Sequence, residues 1–340
     1  MSLMRCIWGL MASAAFVGMV ATPAAAASLD RGNVLQELEG LLNSEYFDLP
    51  TANSTAKALA AATPSLATIQ DRTAFAAAVT RVLYSVSHDR HLKLLASPDG
   101  LPEMAATPEI AQQREIARNY GVASVAILPG NIGCLTMTGF ARFTPDTAKR
   151  IEWAFNFLAN TYGLVIDLTH SRGGDPATEA LIVGYLTKPG IHLDSTIPRD
   201  GSDHPTITPD SYQGTVYGPD RPVAVAASRQ TFSAAEALAY DLQTLHRARI
   251  YGEPTGGGGN AGHFATLSDG FIAFMPVART VNAITHSSWE GVGVTPDVAT
   301  AAEGAVDSAR IHLIQQLLLT TTIPTMHDIL QAGANDHAAK

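Results

Sequence analysis

Two short runs, Gly163 to Leu168 and Val223 to Ala227, consist almost wholly of apolar residues, and each leads through a polar turn toward a helix-forming stretch. A strand of that composition is buried on both faces and so must lie inside a layered structure, as in parallel sheets joined by helical crossovers. Neighbouring segments fit the same plan. Val122 to Leu128, Ile132 to Met137 and Ile250-Tyr251 read as strands, and Phe264 to Val281 as two or three more. Thr144-Pro145, a capping residue followed by proline at the first helical position, opens a helix to about Asn160. Further helices cover Pro176 to Leu186, Ser233 to about Leu245 and about Val306 to Leu319. Strands alternating with helices give an α/β core over residues 116–322, with residues 323–340 expected as a loose tail.

Residues 28–115 have a different pattern. Leu35, Leu38, Leu41 and Leu42 form a helical stripe, Ala56 to Ala61 a second helix, and Asp71 to Val86 a third with Phe75, Val79, Val82 and Leu83 on one face. A proline-rich connector follows near Pro98, Pro102 and Pro108. The whole segment reads as a small helical domain.

Residues 1–27 resemble a secretory leader: Arg5 is the only charge, an apolar run extends from Cys6 to Val20, and small residues surround an Ala-x-Ala site. The expectation is a periplasmic or secreted protein with no stable membrane anchor after cleavage. Removal of Cys6 leaves Cys134 as the one cysteine, without an intrachain disulfide partner, and its apolar neighbours mark it as a buried core thiol. With 46% apolar and 16% charged residues the chain is globular, and a formal net charge of -9 argues against a nucleic-acid partner. Nothing in the sequence fixes the oligomeric state.

Four segments could carry chemistry. Thr231-Phe232-Ser233-Ala234-Ala235-Glu236 places a serine at a helix start after a buried strand. Unpaired N–H groups there favour negative charge and can stabilise an oxyanion. Ser233-x-x-Glu236 is equally a capping box, so on its own this segment decides nothing. Asp167 to Gly174 ends a buried strand in a turn whose glycines let a backbone N–H face a reacting group. Gly252-Glu253-Pro254-Thr255-Gly256-Gly257-Gly258-Gly259 is a groove wall or a surface loop, and no Gly-Lys-Ser/Thr makes it a phosphate loop. Trp289 to Asp297 is the fourth.

In this order and spacing the four segments resemble the tail-specific (C-terminal-processing) serine peptidase family, in the variant similar to interphotoreceptor retinoid-binding protein and the tricorn protease core. The resemblance covers about residues 85–300. It implies a ClpP/crotonase-like core of stacked ββα units, a peptide or protein substrate and no cofactor or metal. It implies Ser233 as nucleophile and an oxyanion hole from the N–H groups of Ala234 and of Gly173 or Gly174. The best-known branch takes its base from a lysine in the glycine motif, but Gly258 stands at that position and the only lysine after Ser233 is Lys340. The tricorn-like branch instead places a histidine in a segment similar to Asp89-Arg90-His91-Leu92, and a distal glutamate matched by Glu290. In that branch a serine hydroxyl precedes the histidine, where this chain has Arg90; Ser87 is the nearest alternative hydroxyl.

His91 is therefore the expected base, with His170, His263 and His286 as rivals. His88-x-x-His91 lacks the third ligand of a zinc site. Ser54-Thr55-Ala56-Lys57 fits S-x-x-K but lacks the accompanying motifs of penicillin-recognising enzymes. The expected function is an exported serine endopeptidase; the alternative is a non-catalytic carrier of hydrophobic ligands or peptides on the same scaffold. The span between His91 and Val122 leaves no room for a PDZ-like domain, so weak or absent tail specificity is expected.

Overall fold

The computed structural model describes residues 30–96 and 107–338. The leader-like segment and most of the proline-rich connector lie outside these residues.

The N-terminal helices are α1 (Arg31–Glu45), α2 (Leu49–Leu66) and α3 (Arg72–Ser87). Each starts on an aspartate cap: Asp30, Asp48 and Asp71 accept from the N–H of Asn33, Thr51 and Ala74. Such caps contribute about 1 kcal/mol each. The second helix runs well beyond the expected Ala56 to Ala61 because Asp48 and Pro50 start it earlier. Leu38, Leu42, Leu59, Phe75, Val79 and Leu83 form a core that is completed by Leu94 on strand β1 (Lys93–Ala96) and by Phe271, Ala273 and Met275 on β10 (Phe271–Asn282). β1 pairs with β10, which also pairs with β5 (His192–Pro198) and β9 (Ala261–Thr266); β6 (His204–Ile207) continues from β5, and every pairing is antiparallel.

The second sheet has the order β11-β8-β7-β4-β3-β2: Val298–Ala299, Ala248–Gly252, Val223–Ala227, Gly163–Asp167, Ile132–Met137 and Val122–Leu128. β2 forms an antiparallel hairpin with β3, and the remaining pairings are parallel. The apolar runs are explained residue by residue. Leu164, Ile166, Val223, Val225 and Ala227 face a core shared with α5 (Pro145–Phe157), α6 (Pro176–Leu186) and α7 (Ala234–Thr244). Val165, Ala224 and Ala226 face Ala309, Leu313 and Ile314 of α8 (Ala302–Thr320) on the other side. Cys134, on β3, is buried, and burial pushes its thiol up to about 11, as befits a core residue.

β5 and β6 fall in a stretch for which the sequence yields no element, because their polar residues give no apolar run, and one expectation needs correction. The tail after Pro324 is not loose: α9 (Pro324–Ala338) docks on α8. Leu330 is fully buried, Met326 and Ala334 flank it, and the Gly333 carbonyl accepts from Arg310 Nη1 at 2.9 Å. A stripe of three apolar residues is enough to seat this helix but too thin to stand out in the sequence.

Candidate active site

β7 delivers the chain into a sharp turn ending at Ser233, from which α7 starts. Ser233 has φ 58° and ψ -131°, a conformation that non-glycine residues rarely adopt. It costs roughly 1–3 kcal/mol and must be held by its surroundings. The holding group is Glu236. Its fully buried carboxylate accepts from the Ser233 N–H at 2.9 Å, the Gly258 N–H at 2.8 Å, the Gly257 N–H at 2.6 Å and the Thr255 hydroxyl at 2.5 Å. Burial raises the Glu236 pKa while the four donors oppose that shift. The capping-box glutamate thus clamps the Ser233 turn to the glycine segment.

The other segments converge on the same turn. Thr231 Oγ1 donates to the Leu168 carbonyl at 2.8 Å, and the Phe232 N–H to the Ser171 carbonyl at 3.1 Å. Trp289 Nε1 donates to the Gly258 carbonyl at 2.9 Å, and the Gly291 N–H to the Gly257 carbonyl at 2.9 Å. Gly173 lies so close to the serine that a β-carbon on it would stand 2.6 Å from the Phe232 oxygen and 2.8 Å from Ser233 Cβ. Its φ of 79° likewise calls for glycine. Among the described residues the N–H groups of Gly173, Gly174 and Ala234 have no backbone or side-chain acceptor. Gly173 and Ala234 adjoin Ser233, and Gly174 and Ala234 line a cavity of about 370 Å³ together with Ser233, His91, Lys93, Arg172, Phe264 and Phe274.

His91 is buried, its ring 4.6 Å from that of Phe232 and 4.9 Å from that of Phe274 between centroids. Burial, then the nearby Lys93, pushes its pKa down to about 3. Nδ1 is buried and has no hydrogen-bond partner. The rival histidines are elsewhere. His170 and His286 are exposed and absent from the cavity wall; His263 bonds Glu45 at 2.8 Å. His88 ends α3 in a left-handed conformation and packs on Tyr84.

Asp89, His91 and Glu290 bring one ligand atom each within 4.8 Å of one another, a spacing that could hold a cation. The carboxylates are already occupied. Asp89 accepts from the His91 and Leu92 N–H groups, the Tyr46 hydroxyl and Asn260 Nδ2. Glu290 accepts from the Arg90, Gly259 and Asn260 N–H groups. A cation would have to displace these donors, so the arrangement fits a positioning network better than a metal centre. Burial, then Asp89, pushes Glu290 up to about 7. Glu290 engages the backbone of Arg90 directly, whereas Ser87 donates to the Leu83 carbonyl and accepts from the Asp89 N–H, so it does not bridge to the histidine.

Sequence reasoning did not single out Tyr46, Phe232, Thr255 or Asn260, nor the clamping role of Glu236. The Ser-x-x-Glu spacing was the available signal for Glu236; the others are set by tertiary contact and leave no local pattern.

A carboxyl-terminal-processing peptidase 2 of Arabidopsis thaliana, chloroplastic, is 33% identical over half of this chain and a third (33%) of its own length. Across the curated relatives that match, the chain spans 33% to 48% of their length. A lipoprotein structure from Streptococcus agalactiae shares the fold with a TM-score of 0.58 at 13% identity, covering 84% of this chain and 96% of that one. A structure from Parabacteroides merdae, provisionally named a peptidase, gives a TM-score of 0.54 at 16% identity, covering 87% and 98%. The sequence profile described as peptidase family S41 matches residues 131–300, the stretch that carries the Ser233 turn, the glycine segment and Glu290. By that match the chain belongs to peptidase family S41.

Proposed function

We propose that this chain is an exported serine peptidase that hydrolyses peptide bonds through an acyl-enzyme on Ser233, with His91 as the proton acceptor. The observation that carries the reading is the strained Ser233 turn facing the free N–H groups of Gly173, Gly174 and Ala234 in a cavity shared with His91. Ser233 Oγ attacks the carbonyl carbon, its proton passes to His91, and the oxyanion is met by the backbone donors. Collapse breaks the C–N bond as His91 returns the proton to the leaving amine, and water then hydrolyses the ester by the same steps.

Nδ1 of His91 is enclosed, so Nε2 is the nitrogen available for transfer. A histidine pushed down to about 3 is uncharged at neutral pH and can accept a proton, though it is a weak base. Asp89 and Glu290 lie beside the ring, each with an atom within 4.8 Å of it, and are the acidic groups nearest to the imidazolium that would form. A second reading, a carrier of hydrophobic ligands, draws support from the four aromatic residues on the wall, Phe232, Phe264, Phe274 and Trp289.

A fluorophosphonate probe separates the two. Labelling that disappears in Ser233→Ala supports the acyl-enzyme. Labelling that persists in that variant removes the nucleophile, and no labelling together with saturable lipid binding favours the carrier. Fractionation of the producing cell, with the mature N-terminus sequenced, tests export.

A further inference from the structure

The base marks one side of the cleft. Whatever group leaves must depart past His91, because His91 returns the proton to it. Lys93 follows two residues later, lines the same cavity and lies with Nζ 5.5 Å from the centre of the Phe232 ring. Arg172, immediately before the oxyanion glycine Gly173, lines it too. Lys93 is largely withdrawn from water, and Arg172 is close enough to disfavour its charge further.

Asp89 lies close enough to favour the Lys93 charge in part, but among the described residues no acid forms a direct ion pair with Lys93 or Arg172. Asp89, the nearest carboxylate to influence Lys93, has both oxygens taken by Tyr46, Asn260, His91 and Leu92. Asp194, the one acid on the cavity wall, is bonded to Thr206. Arg172 finds only the neutral Gln230 Oε1, at 3.5 Å. This happens in a chain with 31 acidic residues against 22 Lys and Arg. Asp89 offsets only part of the repulsion on Lys93, so a negative group entering the cavity beside both cations is favoured.

We propose that Lys93 and Arg172 form an anion subsite on the leaving-group side of Ser233, which takes a carboxylate of the peptide substrate close to the scissile bond. The carboxylate is either an acidic side chain or the free C-terminus of a short leaving segment. Arg172 offers a planar fork suited to it, and Lys93 a point charge. The subsite would also give a chain without room for a PDZ-like domain its own means of reading the leaving side. The inference rests on the acyl-enzyme reading above, because that reading defines which side is which.

The test uses one pool of quenched peptides in matched sets: Asp or Glu against Asn or Gln at each of the first three leaving-side positions, and free acid against carboxamide at the C-terminus. The expected result is a kcat/KM higher by about 10- to 100-fold for a carboxylate-bearing set, the scale of a hydrogen bond to a charged group. That ratio should fall toward one in Arg172→Gln and Lys93→Met, and shrink with added salt. The acid/amide arm identifies the terminus, and the Asp/Asn arm the side chain. A wild-type ratio near one in every set, or a ratio unchanged in both variants, overturns the subsite. Binding of the same pool to Ser233→Ala reads the anion preference without turnover. A chain that binds carboxylate peptides through Arg172 but never labels with fluorophosphonate would therefore retain the subsite and lose the peptidase reading.

Discussion

A β-carbon on Gly258 would stand 2.7 Å from Cε1 of His91, and 2.5 Å from Cε2 of the Phe232 ring against which that histidine packs. The resemblance to the better-known branch would place a lysine at this position; here it is a glycine, and an imidazole and a phenyl ring fill the space a side chain would need. Gly258→Lys should therefore not create a lysine base. The new side chain must displace His91 or Phe232, and overpacking of this kind costs about 1–3 kcal/mol. We expect a lower unfolding midpoint and loss of fluorophosphonate labelling; labelling at or above the wild-type rate would show that the space is not contested.

Gly173→Ala should abolish turnover with little change in substrate affinity. The added methyl meets the Phe232 oxygen, the Ala234 nitrogen and Ser233 Cβ at 2.6 to 2.8 Å, on a residue that also has φ 79°. Loss of one oxyanion donor typically lowers kcat by about 10²- to 10³-fold. Steady-state kinetics on a cleaved peptide, with circular dichroism to check folding, would show it. A KM rise with unchanged kcat would place Gly173 in binding and not in transition-state stabilisation.

Glu290 should leave a signature in the pH dependence of stability. Its folded pKa of about 7 lies above the ordinary 4.5, so between these values the folded chain holds a proton that the unfolded chain has released. The site's contribution therefore falls as pH rises through that window. His91 acts in the opposite sense. Its pKa is lowered from 6.5 to about 3, so its contribution is lost as pH falls through that range. Relative to Glu290→Gln, the parent should lose stability between pH 4.5 and 7; relative to His91→Phe, it should gain stability between pH 3 and 6.5. Urea titrations across these ranges measure both, and slopes of the reverse sign would refute the assigned burial effects.

Leu330→Ala should release α9. The side chain is fully buried between α8 and α9, and truncations of this kind cost about 2–5 kcal/mol. Faster amide exchange in residues 324–338, with the rest of the chain protected, is the expected pattern. Uniform loss of protection would mean that α9 and the sheet unfold as one unit.

Much of the architecture was legible because burial on both faces leaves a plain mark. Val223 to Ala227 and Pro176 to Leu186 have the bounds expected of them, since a continuous apolar run and a Pro-started helix are local patterns. β5 was not legible: Asp194, Ser195 and Thr196 show no strand pattern until β10 pairs with them. The site divides the same way. Ser233, Gly173 and Gly174 sit in turns that the sequence punctuates, and their convergence follows from parallel strands that end side by side. The environment of His91 depends on Phe232, Phe274, Tyr46 and Asn260, drawn from distant parts of the chain, and no spacing rule announces such a meeting.

The Tyr46–Asp89–Asn260 link has a temporal meaning. During synthesis the chain emerges from its N-terminus, so residue 46 is available long before residue 260. Asp89 then lacks one of its donors, and the glycine segment that shapes the nucleophile turn does not yet exist. An unfinished chain cannot hold His91 and Ser233 in register. On the acyl-enzyme proposal, the nascent chain would be inert on the ribosome and would gain competence only when the last strands close over the first helices.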